Sequence, residues 1–120
     1  MRLFRAADIT PVPAALPGCV SAFNGPLAEA ARVDDVACDI MRVIGAGGIP
    51  VHEGRRDQMC TVIAGHGWMR GGEGEWFEVG VGDVALWAEG EARSWRTETG
   101  ITLMSVRGRG LVGDVPTASA

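Results

Sequence analysis

Residues 47–93 read GGIPVHEGRRDQMCTVIAGHGWMRGGEGEWFEVGVGDVALWAEGEAR. Short runs rich in valine, isoleucine and tryptophan alternate here with glycine turns, and each run is too short for a helix but long enough for a strand. The clearest runs are DQMCTVIAG (57–65), EWFEVG (75–80) and GDVALWAEGEAR (82–93). Because glycine supplies the positive φ angles of tight connections, GGEGEW (71–76) predicts a hairpin. This regular series of short strands predicts a β-sandwich or barrel.

The flanking residues extend the pattern in both directions. Residues 36–44 and 101–106 predict further strands, as do 1–7 and 18–23. Residues 8–17 contain three prolines, which cannot donate to a sheet ladder and favour an extended arm on an edge or surface. Residues 26–32 fit one or two helical turns and an irregular loop equally well.

A chain of 120 residues predicts a single domain. Within it we expect an N-terminal arm with edge strands at 1–35, a barrel core at 36–108 and a C-terminal tail at 109–120. Low helix content and short glycine turns indicate an all-β protein built as a small antiparallel jelly roll.

Composition excludes several classes of function. A net charge of −4 predicts no basic face for nucleic acid or for an anionic membrane surface. The sequence shows no signal peptide and no run of about 20 apolar residues that would span a bilayer. Three cysteines at positions 19, 38 and 60 form no CxxC pair, which argues against a disulfide framework and a zinc ribbon. A reducing, cytoplasmic location fits best.

Two motifs in residues 47–93 resemble those of the cupin family. The first family motif is a glycine, a His-x-His pair, a Glu and a strand that ends in glycine. When that last glycine is aligned with Gly65, His52 takes the position of the first His, Gly54 that of the second and Gln58 that of the Glu.

The second family motif is a glycine followed by Pro-x-Gly-x-x-His. It falls on Gly82, Ala88, Gly90 and Arg93, so an arginine stands at the last histidine position. The resemblance implies a cupin-like antiparallel jelly-roll barrel with an extended N-terminal arm. It also implies four metal-ligand positions, of which His52 alone keeps a family ligand.

His52 and Arg93 are the predicted catalytic groups. An imidazole can act as an acid, a base or a ligand near neutral pH. A guanidinium stays protonated and has no lone pair for a metal, but it can stabilise negative charge on a substrate. Pointing into a barrel, Arg93 needs a negative partner, for which the candidates are Glu53, Asp39, Asp57 or an acidic group of the ligand.

The predicted ligand-binding residues come from strand alternation and from large apolar side chains. Alternation places Gln58 and Cys60 on one face of their strand. A free cysteine here fits a soft-metal ligand or a nucleophile, although a small buried hydrophobe is the commoner role. One or two of the tryptophans and methionines would form an apolar wall, and Trp87 and Trp95 lie closest in sequence to Arg93. The full set is Gln58, Cys60, Met41, Trp87, Trp95 and Met104.

Three functions fit these residues. The favoured one is a metal-independent protein without a cofactor that binds an apolar-bodied organic anion and catalyses isomerisation, cyclisation or decarboxylation, of the kind found in secondary metabolism. The second is a metal-dependent dioxygenase in which His52 and Gln58, helped by Cys60 or Asp57, hold a divalent transition metal. The third is a non-catalytic ligand sensor or binding module. A homodimer is expected for each, because a small barrel with an arm has a free edge to cover.

Overall fold

The computed structural model describes residues 1–5, 8, 10–13, 15, 17, 18, 20, 21, 23, 24 and 34–111. The predictions for residues 26–32, for Cys19 and for most of the C-terminal tail therefore lie outside the described residues. No helix among the described residues is long and apolar enough to cross a membrane.

Ten strands are found in the described part of the chain. They are β1 (Arg2–Phe4), β2 (Val12–Pro13), β3 (Phe23–Asn24), β4 (Asp34–Val43), β5 (Gly47–Glu53), β6 (Asp57–Gly71), β7 (Phe77–Gly80), β8 (Val84–Trp87), β9 (Ala92–Thr97) and β10 (Ile101–Arg109). The prediction of an all-β protein is confirmed. Of the predicted strand at 18–23, Gly18 lies in a turn with a φ of 86° and β3 begins at Phe23, while residues 19 and 22 lie outside the described residues.

The long strands form two antiparallel layers that share β6. In the first layer the order is β1-β8-β6-β10-β4, and in the second β5 pairs β9, β9 pairs β6, and β6 pairs β7. Strands β2 and β3 pair only with each other. This arrangement is an antiparallel jelly roll in which β1, from the N-terminal arm, lies at the edge of the first layer.

Strand β6 passes from one layer to the other at Gly65. Its N-terminal half pairs β8 and β10, and its C-terminal half pairs β7 and β9. Gly65 has a φ of 81°, and a Cβ there would lie 2.3 Å from the carbonyl oxygen of Gly100. The bend needs glycine, but the strand does not end at Gly65 as the sequence predicts. His66, the next residue, lies inside β6 with Nε2 2.6 Å from Oε1 of Glu78.

The main core fills the space between the two layers. Its buried members are Cys60, Val62, Met69, Val79, Ala85, Trp87, Trp95, Ile101 and Leu103. The rings of Trp87 and Trp95, one from each layer, lie 5.7 Å apart between centroids at a tilt of 32°. A smaller cluster joins Phe4 of β1 to Val84 and Leu86 of β8. One region between the layers is not filled by this core.

Candidate functional site

A cavity of about 340 Å³ lies between the layers, beside the core. Strands β4 and β10 supply one wall, β5 and β9 supply the other, and the turn from β5 into β6 completes it. The lining residues are Asp39, Met41, Ile49, His52, Gly54, Arg55, Arg56, Gln58, Arg93, Trp95, Ser105 and Arg107. Its volume is at the lower end of the range of roughly 300–1,000 Å³ that small-molecule sites occupy.

The lining combines an apolar wall with an excess of positive charge. Met41, Ile49 and Trp95 give the apolar surface. Four of the lining residues are arginines and one is a carboxylate, Asp39. Asp39 pairs with Arg107 across 2.7 Å, between Oδ2 and Nη2. Nη1 of Arg56 lies 3.6 Å from Oδ1 of Asp35, which is outside the lining. Because Arg55 and Arg93 add further positive charge, the cavity favours negatively charged ligands.

Arg93 lies at the buried end of the cavity, since its side chain is only 1% exposed. Its Nε donates to the carbonyl of Glu91 at 3.0 Å, and Nη2 donates to the carbonyl of Ala88 at 2.8 Å. Its Nη1 donates to the carbonyl of Arg56 at 3.2 Å and to Oε1 of Gln58 at 3.1 Å. These four acceptors are uncharged, so they satisfy hydrogen bonds without neutralising the guanidinium.

The electrostatic setting of Arg93 differs from the ion pair expected from the sequence. Of the three candidate partners, Asp39 binds Arg107 instead. Burial lowers the pKa of Arg93 from its usual value, and the negative charge of Glu91 is the strongest influence in the opposite direction. Asp57, another of the candidates, also acts to raise that pKa. The buried cation is held by a cage of carbonyl oxygens and one amide.

Gly54 lies directly against the guanidinium. A Cβ at position 54 would stand 2.2 Å from Cζ of Arg93 and 2.4 Å from both terminal nitrogens. Real Cβ atoms do not approach other atoms so closely, so a larger residue at 54 would displace the guanidinium. The four hydrogen bonds of Arg93 oppose that displacement.

The four positions that the cupin motifs assign to metal ligands converge in space. His52 pairs with Arg93 between β5 and β9, Gly54 packs on the guanidinium, and Gln58 accepts its hydrogen bond. Their chemistry does not fit a metal ion, because Gly54 has no donor atom and Arg93 brings a positive charge. Among the described residues no group of three or more His, Cys, Asp or Glu side chains could hold a metal. The alternative metal site at His52 and Gln58 is thus not supported by its donor set.

His52 lies at the exposed side of the cavity. Its Nδ1 is 2.9 Å from the carbonyl oxygen of Pro50. Since a carbonyl only accepts, this hydrogen bond places a proton on Nδ1 and leaves a lone pair on Nε2 of the neutral ring. The ring also meets Trp95 edge-on, with 6.0 Å between centroids.

The structure divides the other predicted ligand-binding residues into two groups. Gln58, Met41 and Trp95 line the cavity. Cys60 and Trp87 are fully buried in the core and are not part of the lining. Burial raises the pKa of Cys60 from 9.0 to about 12, so it is a neutral thiol near neutral pH rather than a nucleophile.

Met104 lies on the opposite side of its strand. It is 41% exposed, whereas its neighbours Leu103 and Ser105 are buried. Side chains alternate along a strand, so Met104 must face outward when those two face inward. It does not line the cavity, which corrects its predicted role.

Sequence reasoning missed several residues of the lining. Arg107 follows Ser105 at the next inward position of β10, beyond the predicted end of that strand at 106. Arg55 and Arg56 occupy the turn after β5, directly after the glycine that faces Arg93. In the sequence, the two consecutive arginines after Gly54 are the feature that could have predicted positive charge at the cavity.

Two buried donors near the cavity have no hydrogen-bond partner in the described structure. They are Nε1 of Trp95 and Nε of Arg107. Both side chains belong to the lining, one in each layer. A buried donor without an acceptor is costly, so a ligand with acceptor atoms would relieve both.

The two antiparallel layers with a cavity between them define a jelly-roll barrel, and comparison with solved structures names the fold. An RmlC-like cupin from Shewanella frigidimarina matches with a TM-score of 0.58 and 14% identity, over 66% of this chain and 84% of that one. A predicted oxalate decarboxylase from Thermotoga maritima matches with a TM-score of 0.55 and 18% identity, over 62% and 65%. Salicylate 1,2-dioxygenase from Pseudoaminobacter salicylatoxidans, in complex with gentisate, matches with a TM-score of 0.56 and 18% identity, over 60% and 20%.

This chain has the cupin fold. The aligned part spans about two thirds of the decarboxylase and one fifth of the dioxygenase. No protein-family model matches the sequence, and no curated protein matches it. The fold is therefore shared with proteins of varied activity, and the chemistry must be argued from the residues of this cavity.

Proposed function

We propose that this protein binds a small organic anion with an apolar body in the cavity between the layers, without a metal ion. The observation that carries the proposal is the lining itself, in which four arginines face one carboxylate beside an apolar wall. An anionic head would lie among the arginines, and its body would pack on Met41, Ile49 and Trp95.

The unpartnered donors support the same ligand chemistry. A carboxylate accepts several hydrogen bonds, and Nε of Arg107 is a buried donor without an acceptor. Arg93 uses four of its five N–H groups on protein acceptors, which leaves one donor on Nη2. Anion binding would add acceptors where the protein has donors in excess.

Small carboxylic acids also appear in the names of proteins with this fold. Oxalate and salicylate are compact anions of this kind, and the decarboxylase and the dioxygenase described above are named for them. At such low identity this is support from the fold alone.

Proton transfer on the bound anion is the reaction that the residues favour. In the neutral tautomer set by Pro50, Nε2 of His52 can accept a proton, while the nearby guanidinium of Arg93 stabilises the negative charge that develops. The activity would then be that of an isomerase, a cyclase or a lyase. A ligand sensor would use the same lining without the turnover.

Calorimetric titration with benzoate and with its neutral analogue benzamide tests the anion proposal. Benzoate should bind and raise Tm, benzamide should do neither, and the affinity for benzoate should fall as salt is raised. Equal responses to both compounds would overturn the proposal. So would the failure of benzoate, salicylate and oxalate to bind at millimolar concentration.

A homodimer is proposed on the exposed side of the first layer. Val36, Ile40 and Met104 present exposed apolar side chains on β4 and β10. Within the described residues β4 pairs with β10 alone, so its other edge carries free backbone groups. An apolar face beside an open edge favours self-association.

A further inference from the structure

We propose that Arg93 and Gly54 are a matched pair through which a fixed internal cation takes the place of a metal ion. In this chain the guanidinium occupies the point where the four ligand positions of the cupin motifs meet. The proposal goes beyond anion binding and does not depend on it.

There is no room for a side chain at position 54 beside the guanidinium. The guanidinium comes so close to Gly54 that a Cβ would overlap Cζ at 2.2 Å. A histidine at position 54 therefore cannot coexist with the arginine in its present place. Removal of the side chain at 54 is what allows the guanidinium to enter.

The hydrogen bonds of the guanidinium connect separate segments of the barrel. Its acceptors belong to the turn before β6 (Arg56), to β6 itself (Gln58) and to the turn between β8 and β9 (Ala88 and Glu91). One cation thus joins three segments from both layers, as a bound metal would join its ligands. Gln58 suits the replacement of a metal ion by a guanidinium. Its neutral amide accepts a hydrogen bond from Arg93 and also donates one to Oγ of Ser105 at 3.0 Å.

The backbone at Gly54 makes the pair testable. Its φ is not in the left-handed region, so alanine is compatible with the backbone at this position. Any cost of Gly54→Ala should then come from the collision with Arg93. Gly80 is a matched control, because its φ is also outside that region and no atom lies within 4 Å of a Cβ placed there.

Thermal unfolding of four variants tests the pair without any ligand. Gly54→Ala should lower Tm by roughly 5 °C or more, as overpacking does, and Gly80→Ala should leave it nearly unchanged. In an Arg93→Lys background the charge remains but the colliding group is gone, so adding Gly54→Ala should cost much less than it does in the native chain. The pairing is refuted if Gly54→Ala is as mild as Gly80→Ala, or equally costly in both backgrounds.

A reversal experiment tests the replacement of the metal. The triple variant Gly54→His, Gln58→Glu and Arg93→His restores the ligands of the family motif around His52. After incubation with Mn²⁺ it should hold about one equivalent by elemental analysis and gain Tm, while the native chain should do neither. Near-stoichiometric uptake of Mn²⁺ by the native chain would overturn the proposal, and so would a folded triple variant that takes up none. Circular dichroism identifies the folded variants, and if the triple variant does not fold, uptake by the native chain decides the question alone.

Discussion

Oε1 of Gln58 accepts a hydrogen bond of 3.1 Å from Nη1 of Arg93, and both side chains are buried. The contact joins the central strand of the first layer to the second layer at the base of the cavity. Because the acceptor is an amide and not a carboxylate, the positive charge of Arg93 stays available to a ligand. A carboxylate at position 58 would neutralise that charge.

Gln58→Glu should weaken benzoate binding about tenfold or more. A glutamate at this position would pair with Arg93 and cancel the charge that attracts the anion, and tenfold corresponds to about 1.4 kcal/mol. Gln58→Met, which removes the amide without adding charge, should weaken binding less. Calorimetry on both variants measures the difference, and an unchanged affinity in Gln58→Glu would remove Arg93 from anion recognition.

Arg107→Gln should reduce the affinity for benzoate and flatten its dependence on salt. Arg107 lines the cavity and its buried Nε has no partner in the described structure. Arg109→Gln on the same strand is the control, because Arg109 is exposed and outside the lining. Equal losses in the two variants would mean that only the overall charge of the protein matters.

His52→Ala should abolish proton transfer to and from the bound anion. The neutral ring acts as the base through Nε2, so the exchange rate in the variant should fall to that of the uncatalysed reaction. Deuterium exchange from solvent at the acidic C–H of phenylpyruvate, followed by NMR, is the readout. His66→Ala provides the control, since His66 lies in β6 beside Glu78 and does not line the cavity. An exchange rate in His52→Ala equal to that of the native protein would assign the chemistry to another group.

Cys60 should resist thiol reagents in the folded protein, while the exposed Cys38 reacts. Burial raises the pKa of Cys60 to about 12 in the folded state against 9.0 for a free thiol. The folded state thus holds the proton more tightly, and its contribution to stability is complete below pH 9.0 and declines as pH rises toward 12. Cys60→Ala should remove this decline, which unfolding curves in a Cys19→Ser background can measure. A Cys60 that reacts as fast as Cys38 would contradict its burial.

Replacement of Ile40 and Met104 by lysine should shift the protein from dimer to monomer in sedimentation experiments at micromolar concentration. Both side chains are exposed on the outer face of neighbouring strands, and lysine would place charge on the proposed contact. Val81→Lys, at an exposed site in the turn after β7, should leave the dimer intact. A native chain that sediments as a monomer would rule out this interface.

The sequence predicted the jelly roll because glycine turns and strand alternation are local signals. Alternation placed Gln58 on one face with Cys60, and the resemblance to the second cupin motif placed Arg93 toward the interior; the structure has both side chains buried. The sequence could not reveal that Arg93 also donates to the carbonyl of Arg56, since that acceptor lies in a turn distant along the chain.

Local patterns also failed where one strand serves two layers. Gly65 has the signature of a strand end, but the pairing of β6 with β7 and β9 carries the strand on through it. The prediction for Met104 rests on its size and not on its strand face, because an apolar Leu103 and a polar Ser105 on either side do not show which face is buried.

The continuity of β6 has a mechanical consequence. Since this one strand is hydrogen-bonded to β7, β8, β9 and β10, neither layer can peel away while the other stays whole. The barrel should melt as one cooperative unit, with the amides in the middle of β6 the last to exchange with solvent. The cavity walls are then clamped at a fixed separation, so ligands would enter by side-chain movement at the rim and not by the layers spreading apart.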